Sequence, residues 1–125
     1  MFEAVKTRVV SGKVPTSGVV RKGPLVMTAH IPKDPTSGQV VSGDIVVQTR
    51  RTLDNLRITM EDAGGSLADV MFVQVFLTSA ADAPGMNTAW REFFKEPFPG
   101  RATVVVKELL APGAAIEIAA TAHLG

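Results

Sequence analysis

In the stretch VMFVQVFL, residues 70–77, Gln74 is the one polar side chain. Eight residues is a strand's length, and an unbroken apolar run predicts a well-buried central strand. On either side of it the hydrophobic period changes. Ile45, Thr49, Thr52, Leu53, Leu56, Met60 and Ala63 recur every three or four positions, which predicts an amphipathic helix beginning near Asp44. Asp44 suits the positive N-terminal end of that helix, and Gly64-Gly65 stops it. Ser66 to Asp69 reads as a short capped turn. A second helix is predicted from about Ala81 to Lys95, with Met86, Trp90, Phe93 and Phe94 on one side and Pro97 and Pro99 beyond its end.

The other predicted strands flank these elements. Residues 3–10 read as a short strand, followed by a loop at 13–18. Val26, Thr28 and His30 alternate with Leu25, Met27 and Ala29 between Gly23-Pro24 and Pro32, which predicts a further strand. Residues 33–41 form a turn by composition. Residues 101–109 and 114–124 complete the set on either side of Pro112-Gly113. The order is strands, helix, strand, helix, strand, strand, with a hairpin expected at each end. It predicts an α+β fold, a single domain over residues 1–125 with both helices on one face of the sheet. Two helices do not cover two faces, so an apolar second face predicts self-association.

Composition narrows the function classes. The length suits one core, and 46% hydrophobic with 20% charged residues is an ordinary soluble globular balance. A net charge of +1 gives no reason to expect nucleic acid or an anionic membrane as a partner. The absence of cysteine excludes disulfides, thiolate metal sites and a cysteine nucleophile. His30 and His123 are too few for a histidine-rich metal site, so no metal is expected. No apolar run approaches a membrane span and the first residues lack signal-peptide features, which makes the cytoplasm the expected location.

Two charges stand out against apolar strands. Arg101 follows Phe98-Pro99-Gly100 at the mouth of a valine-rich strand and shares a face with Thr103, Val105 and Lys107. Glu117 lies between Ile116 and Ile118 and shares a face with Ala119 and Thr121. One reading is an ion pair between them, within the chain or across a subunit interface. The other is that Arg101 offers its planar fork to a substrate carboxylate while Glu117 orients a water and accepts its proton. Thr28 and His30 share a face of their own strand, as a hydrogen-bonded, partly buried pair or as polar groups at a pocket rim. Asn55 and Asn87 are expected to brace local backbone. Trp90, Phe93 and Phe94 read as a core stripe. The Ser-Gly-Lys at 11–13 lacks the upstream glycine spacing of a phosphate loop.

Several separated segments resemble the Rid family of small proteins, also known as the YjgF family. They are HIPKDPTSGQV at 30–40, QTRRTLDNL at 48–56, DVMFVQVFLTS at 69–79, MNTAWREFF at 86–94, FPGRATVVV at 98–106 and AIEIAATA at 115–122. The arginine strand behind its prolines, followed by Ile-Glu-Ile, is the most telling pair. The resemblance implies a chorismate-mutase-like fold and a homotrimer with three clefts between subunits. It implies cofactor-free hydrolysis of reactive 2-imino and 2-enamino acids to 2-keto acids and ammonia. By the same resemblance Arg101 is the substrate-carboxylate anchor and Glu117 lies at the reacting centre. Thr103 is the second catalytic candidate beside Glu117, and Thr28, Ala29 and His30 join Arg101 as substrate-binding candidates. This chain departs from the best-known subgroup in three places. It contains no tyrosine, Thr103 stands where a cysteine is usual, and Thr28-Ala29-His30 stands where Ser-Gly-Gln is usual. Divergent relatives act on other substrates such as 2-aminomuconate, and a trimer that binds small carboxylates as a regulator is the non-enzymatic alternative.

Overall fold

The computed structural model describes residues 1–125. Its strands are β1 Glu3–Ala4, β2 Val19–Lys22, β3 Leu25–His30, β4 Val70–Leu77, β5 Gly100–Val105 and β6 Ile116–His123. Its helices are α1 Ile45–Asp62 and α2 Ala83–Phe93, with 3₁₀ turns at Leu67–Asp69 before β4 and at Ala80–Asp82 before α2. The strands form one mixed sheet in the order β1-β2-β3-β6-β4-β5. β4 and β5 are parallel and every other pair is antiparallel. This is the α+β arrangement expected, with two helices against one face.

The ends of α1 follow from local chemistry. Asp44 Oδ1 accepts from the Val47 N–H at 3.0 Å, satisfying one of the unpaired donors of the first turn. At the other end Gly64 takes φ +93°, which lets its own N–H and that of Gly65 reach back to the Glu61 and Met60 carbonyls. Ser66 and Asp69 then close a reciprocal capping box. Leu53, Leu56 and Met60 of α1 and Met86 and Trp90 of α2 pack on Val73, Val75 and Leu77 of β4 and on Ile116 and Ile118 of β6.

Both terminal hairpins differ from expectation. Only Glu3–Ala4 of the first predicted strand pairs, and its partner is Val19–Lys22, which hydrophobic alternation did not mark. The hairpin is instead β2–β3 around Gly23-Pro24, a two-residue turn. At the C-terminus β5 does not pair with β6. Helix α2 is a crossover that returns the chain parallel to β4 at the sheet edge. The next ten residues carry it across, so that β6 enters between β4 and β3. Gln48, 3% exposed, fastens this connection: its amide donates to the Val41 and Gly113 carbonyls, and its Oε1 accepts from the Ala115 N–H.

Register assigns the faces. Val26, Thr28, His30, Val73, Val75, Ile116, Ile118 and Ala120 point to the helices and are buried. The opposite face carries Leu25, Met27, Phe72 and Val104, which are 42% to 49% exposed in one chain. β4, expected as a well-buried central strand, is instead an interior strand beside the edge strand β5 and is covered on one side only.

Candidate functional site

Arg101 is set at the sheet edge by close packing. Gly100 lies opposite Phe72, and a Cβ there would sit 2.8 Å from the Phe72 ring, so the strand passes close only as glycine. The next residue faces the helix side, and the Arg101 guanidinium lies 4.8 Å from the centroid of Trp90. Trp90 is itself held against Phe94 at 4.8 Å between centroids. Asn87, Trp90, Arg91, Phe98, Pro99 and Arg101 line a concavity of about 380 Å³. Burial, and then the like charge of Arg91, hold the Arg101 guanidinium below the usual arginine range. Thr103 follows on the same side of β5.

Glu117 lies elsewhere. It is opposite Phe76 on the uncovered face, whereas Arg101 is opposite Val73 on the helix face. Within one chain the two are on opposite sides of the sheet with β4 between their strands, and they form no ion pair. Glu117 lines a second concavity, of about 420 Å³, with Ala29, His30, Ile31, Lys33 and residues of the 11–18 segment. Burial raises the Glu117 carboxyl above, and lowers the Lys33 amine below, their ordinary ranges.

Thr28 and His30 are a buried, mutually satisfied pair. His30, 5% exposed, has Nε2 at 3.0 Å from Thr28 Oγ1 and 2.9 Å from Thr59 Oγ1. The Thr28 hydroxyl donates to the Gly18 carbonyl and that of Thr59 to the Leu56 carbonyl. Both hydroxyl oxygens are therefore acceptors, which places the imidazole proton on Nε2. Burial, then the charge of Lys33, pushes the His30 pKa down to about 3. Ala29, between them, faces the uncovered side.

The expected braces divide. Asn55 donates to the Ile31 and Lys33 carbonyls and fixes the segment that follows β3. Asn87 makes no such bond and instead stands in the wall of the Arg101 concavity. Trp90 belongs to the core, as its spacing predicted, but one face of its ring also carries Arg101. Lys33 and the 11–18 segment carried no signal beyond charge and turn composition; only the folded path brings them beside Glu117.

Residues 6–124 match the family described as endoribonuclease L-PSP. The chain belongs to this family, the YjgF/RutC/Rid proteins. It is 40% identical over 96 residues to a RutC family protein of Pyrococcus abyssi, covering 76% of each chain. It is 42% identical over 94 residues to the 3-aminoacrylate deaminase RutC of Acinetobacter baylyi, covering 75% of this chain and 74% of that one. Among solved structures, Escherichia coli TdcF with bound serine superposes with a TM-score of 0.88 at 29% identity, over 98% of this chain and 99% of that one. The family includes deaminases.

Proposed function

We propose that this protein is a cofactor-independent hydrolytic deaminase of 2-imino and 2-enamino acids, acting as a homotrimer. The observation that carries this reading is the pair of unpaired charges, Arg101 and Glu117, each lining its own concavity on opposite sides of one sheet. The Glu117 concavity holds a cation of its own, Lys33, whose charged form burial disfavours, but neither concavity joins the arginine fork to the carboxylate. A neighbouring copy laid against the apolar uncovered face covers Met27, Phe72 and Val104 and brings one copy's Arg101 towards the next copy's Glu117. The relative named 3-aminoacrylate deaminase and the serine-bound neighbour support small amino-acid-like carboxylates as ligands.

In the cleft so formed, Arg101 holds the carboxylate and presents C2 of the imine to water. Glu117, whose raised pKa makes its ionised form a stronger base, takes a proton as the water oxygen bonds to C2. The imine nitrogen, protonated, becomes the amine of a carbinolamine. Glu117 returns its proton to the amine nitrogen, and collapse of the carbinolamine forms the carbonyl as the hydroxyl proton leaves to solvent, breaks the C–N bond and releases ammonia. Thr103 and Ala29 contribute wall rather than charge.

One observation favours a second reading, a non-catalytic carboxylate-binding regulator. Thr28 and His30 are turned into the helix layer, His30 bonded to Thr28 and Thr59 and Thr28 donating to the Gly18 carbonyl, so their side chains leave the cleft with few polar groups. The deciding experiment generates imino acids with an amino-acid oxidase and traps the survivors with semicarbazide. Wild-type protein is expected to lower semicarbazone formation and Arg101→Ala is not. Thermal stabilisation by 2-keto acids without turnover would support the regulator instead.

A further inference from the structure

The chain has seven arginines, and five are spoken for. Arg8, Arg50, Arg51 and Arg57 are in ion pairs, and Arg21 donates to the Gly23 and Ala63 carbonyls. The remaining two, Arg91 and Arg101, have no carboxylate within 4.0 Å. They line the same concavity. The arrangement is fixed by α2, where Asn87, Trp90 and Arg91 follow at i, i+3 and i+4 and so share one face. That face looks onto Arg101 of β5. Burial first, and then the like charge of Arg91, disfavour the charged form of Arg101. An anion between the two arginines offsets that cost, and a volume of about 380 Å³ admits a small organic acid.

We propose that Arg91 is a second anion anchor beside Arg101, and that the concavity selects substrates with two anionic groups, a 2-imino or 2-enamino dicarboxylate. Arg101 takes the carboxylate next to the reacting carbon and Arg91 takes the distal one, while the Asn87 amide supplies a neutral polar group on the same wall. The reaction at C2 rests on the deaminase reading above; the pair of anchors does not.

The test compares imino acids made from aspartate or glutamate with those made from alanine or leucine, in wild type, Arg91→Gln and Arg91→Lys. The quantity read is the ratio of kcat/KM for dicarboxylates over monocarboxylates. Wild type is expected to favour dicarboxylates about tenfold or more, the size of one charge-assisted contact. Arg91→Gln is expected to abolish that preference and Arg91→Lys to restore part of it. Equal turnover of both classes by wild type, or a ratio unchanged in Arg91→Gln, overturns the proposal and leaves the deaminase reading standing. If no imino acid is turned over, the deaminase reading fails. The anchors are then read by thermal shift with 2-oxoglutarate against 2-oxobutyrate. A larger shift with the dicarboxylate that disappears in Arg91→Gln supports them, and equal shifts overturn them.

Discussion

The Arg101 guanidinium rests on the face of Trp90 at 4.8 Å from the ring centroid, with no carboxylate of its own chain in reach. A cation–π contact holds the guanidinium over the ring without using its N–H donors, which stay free for a planar anion. An ion-paired arginine would have spent those donors inside the fold.

Arg101→Ala is therefore expected to lower kcat/KM in the trapping assay by roughly a hundredfold, since a fork of charge-assisted bonds is lost. Its circular dichroism and oligomer mass are expected to match wild type. Arg101→Lys keeps the charge without the fork and is expected to regain only a small part of the activity. Wild-type turnover by the alanine variant would remove Arg101 from the reaction.

Met27 is 49% exposed on the uncovered face of the sheet, away from the helix layer that holds the core. A carboxylate there would cost the single chain little but would be buried in an assembly that uses this face. Met27→Glu is expected to remain folded, to sediment below the mass of a trimer, and to lose deaminase activity. A wild-type protein that is monomeric and fully active would refute a cleft shared between copies.

The folded-state pKa of His30, about 3, lies below the ordinary value of 6.5. Between those values the unfolded chain binds a proton that the folded chain does not, so stability falls as pH drops through this window. The steepest slope is about 1.4 kcal/mol per pH unit. The facing groups are the hydroxyls of Thr28 and Thr59 and the amine of Lys33, whose charge adds to burial in lowering the His30 pKa. Carboxylates with lowered pKa values, such as Asp54 and Asp62, lose their contribution at lower pH. Urea unfolding between pH 7 and 5 is expected to show the slope in wild type and a flatter profile in His30→Gln. Identical profiles would mean that His30 is not the group that titrates.

Thr49 is fully buried in α1 and its hydroxyl has no hydrogen-bond partner. Thr49→Val replaces that hydroxyl with a methyl of similar size. It is expected to raise stability by about 1 kcal/mol, measured by chemical denaturation, with activity unchanged. A clear loss of stability would indicate a partner for the hydroxyl in solution.

Local rules wrote much of this molecule into its sequence. Asp44, Gly64 and the three-to-four spacing between them bound α1, because caps and periodicity are properties of a few neighbouring residues. The alternation of Ile116, Ile118 and Ala120 with Glu117 and Ala119 placed the glutamate on the face away from the core, since pleating is local too. Arg101 and Glu117 stood out for the same reason, as charges among apolar neighbours. Strand order obeyed no such rule. Val19–Lys22 became a strand because β3 and Glu3–Ala4 were there to pair with it, and β6 left its sequence neighbour β5 to lie between β3 and β4. That choice is made by long-range hydrogen bonding and burial, which spacing does not encode. It put Arg101 and Glu117 on opposite faces, turned His30 inward to Thr59, and brought Asn87, Trp90 and Arg91 around Arg101. Charges out of place among apolar neighbours are legible along the chain, because pleating and periodicity are local; what each of them faces follows from strand order, which is not.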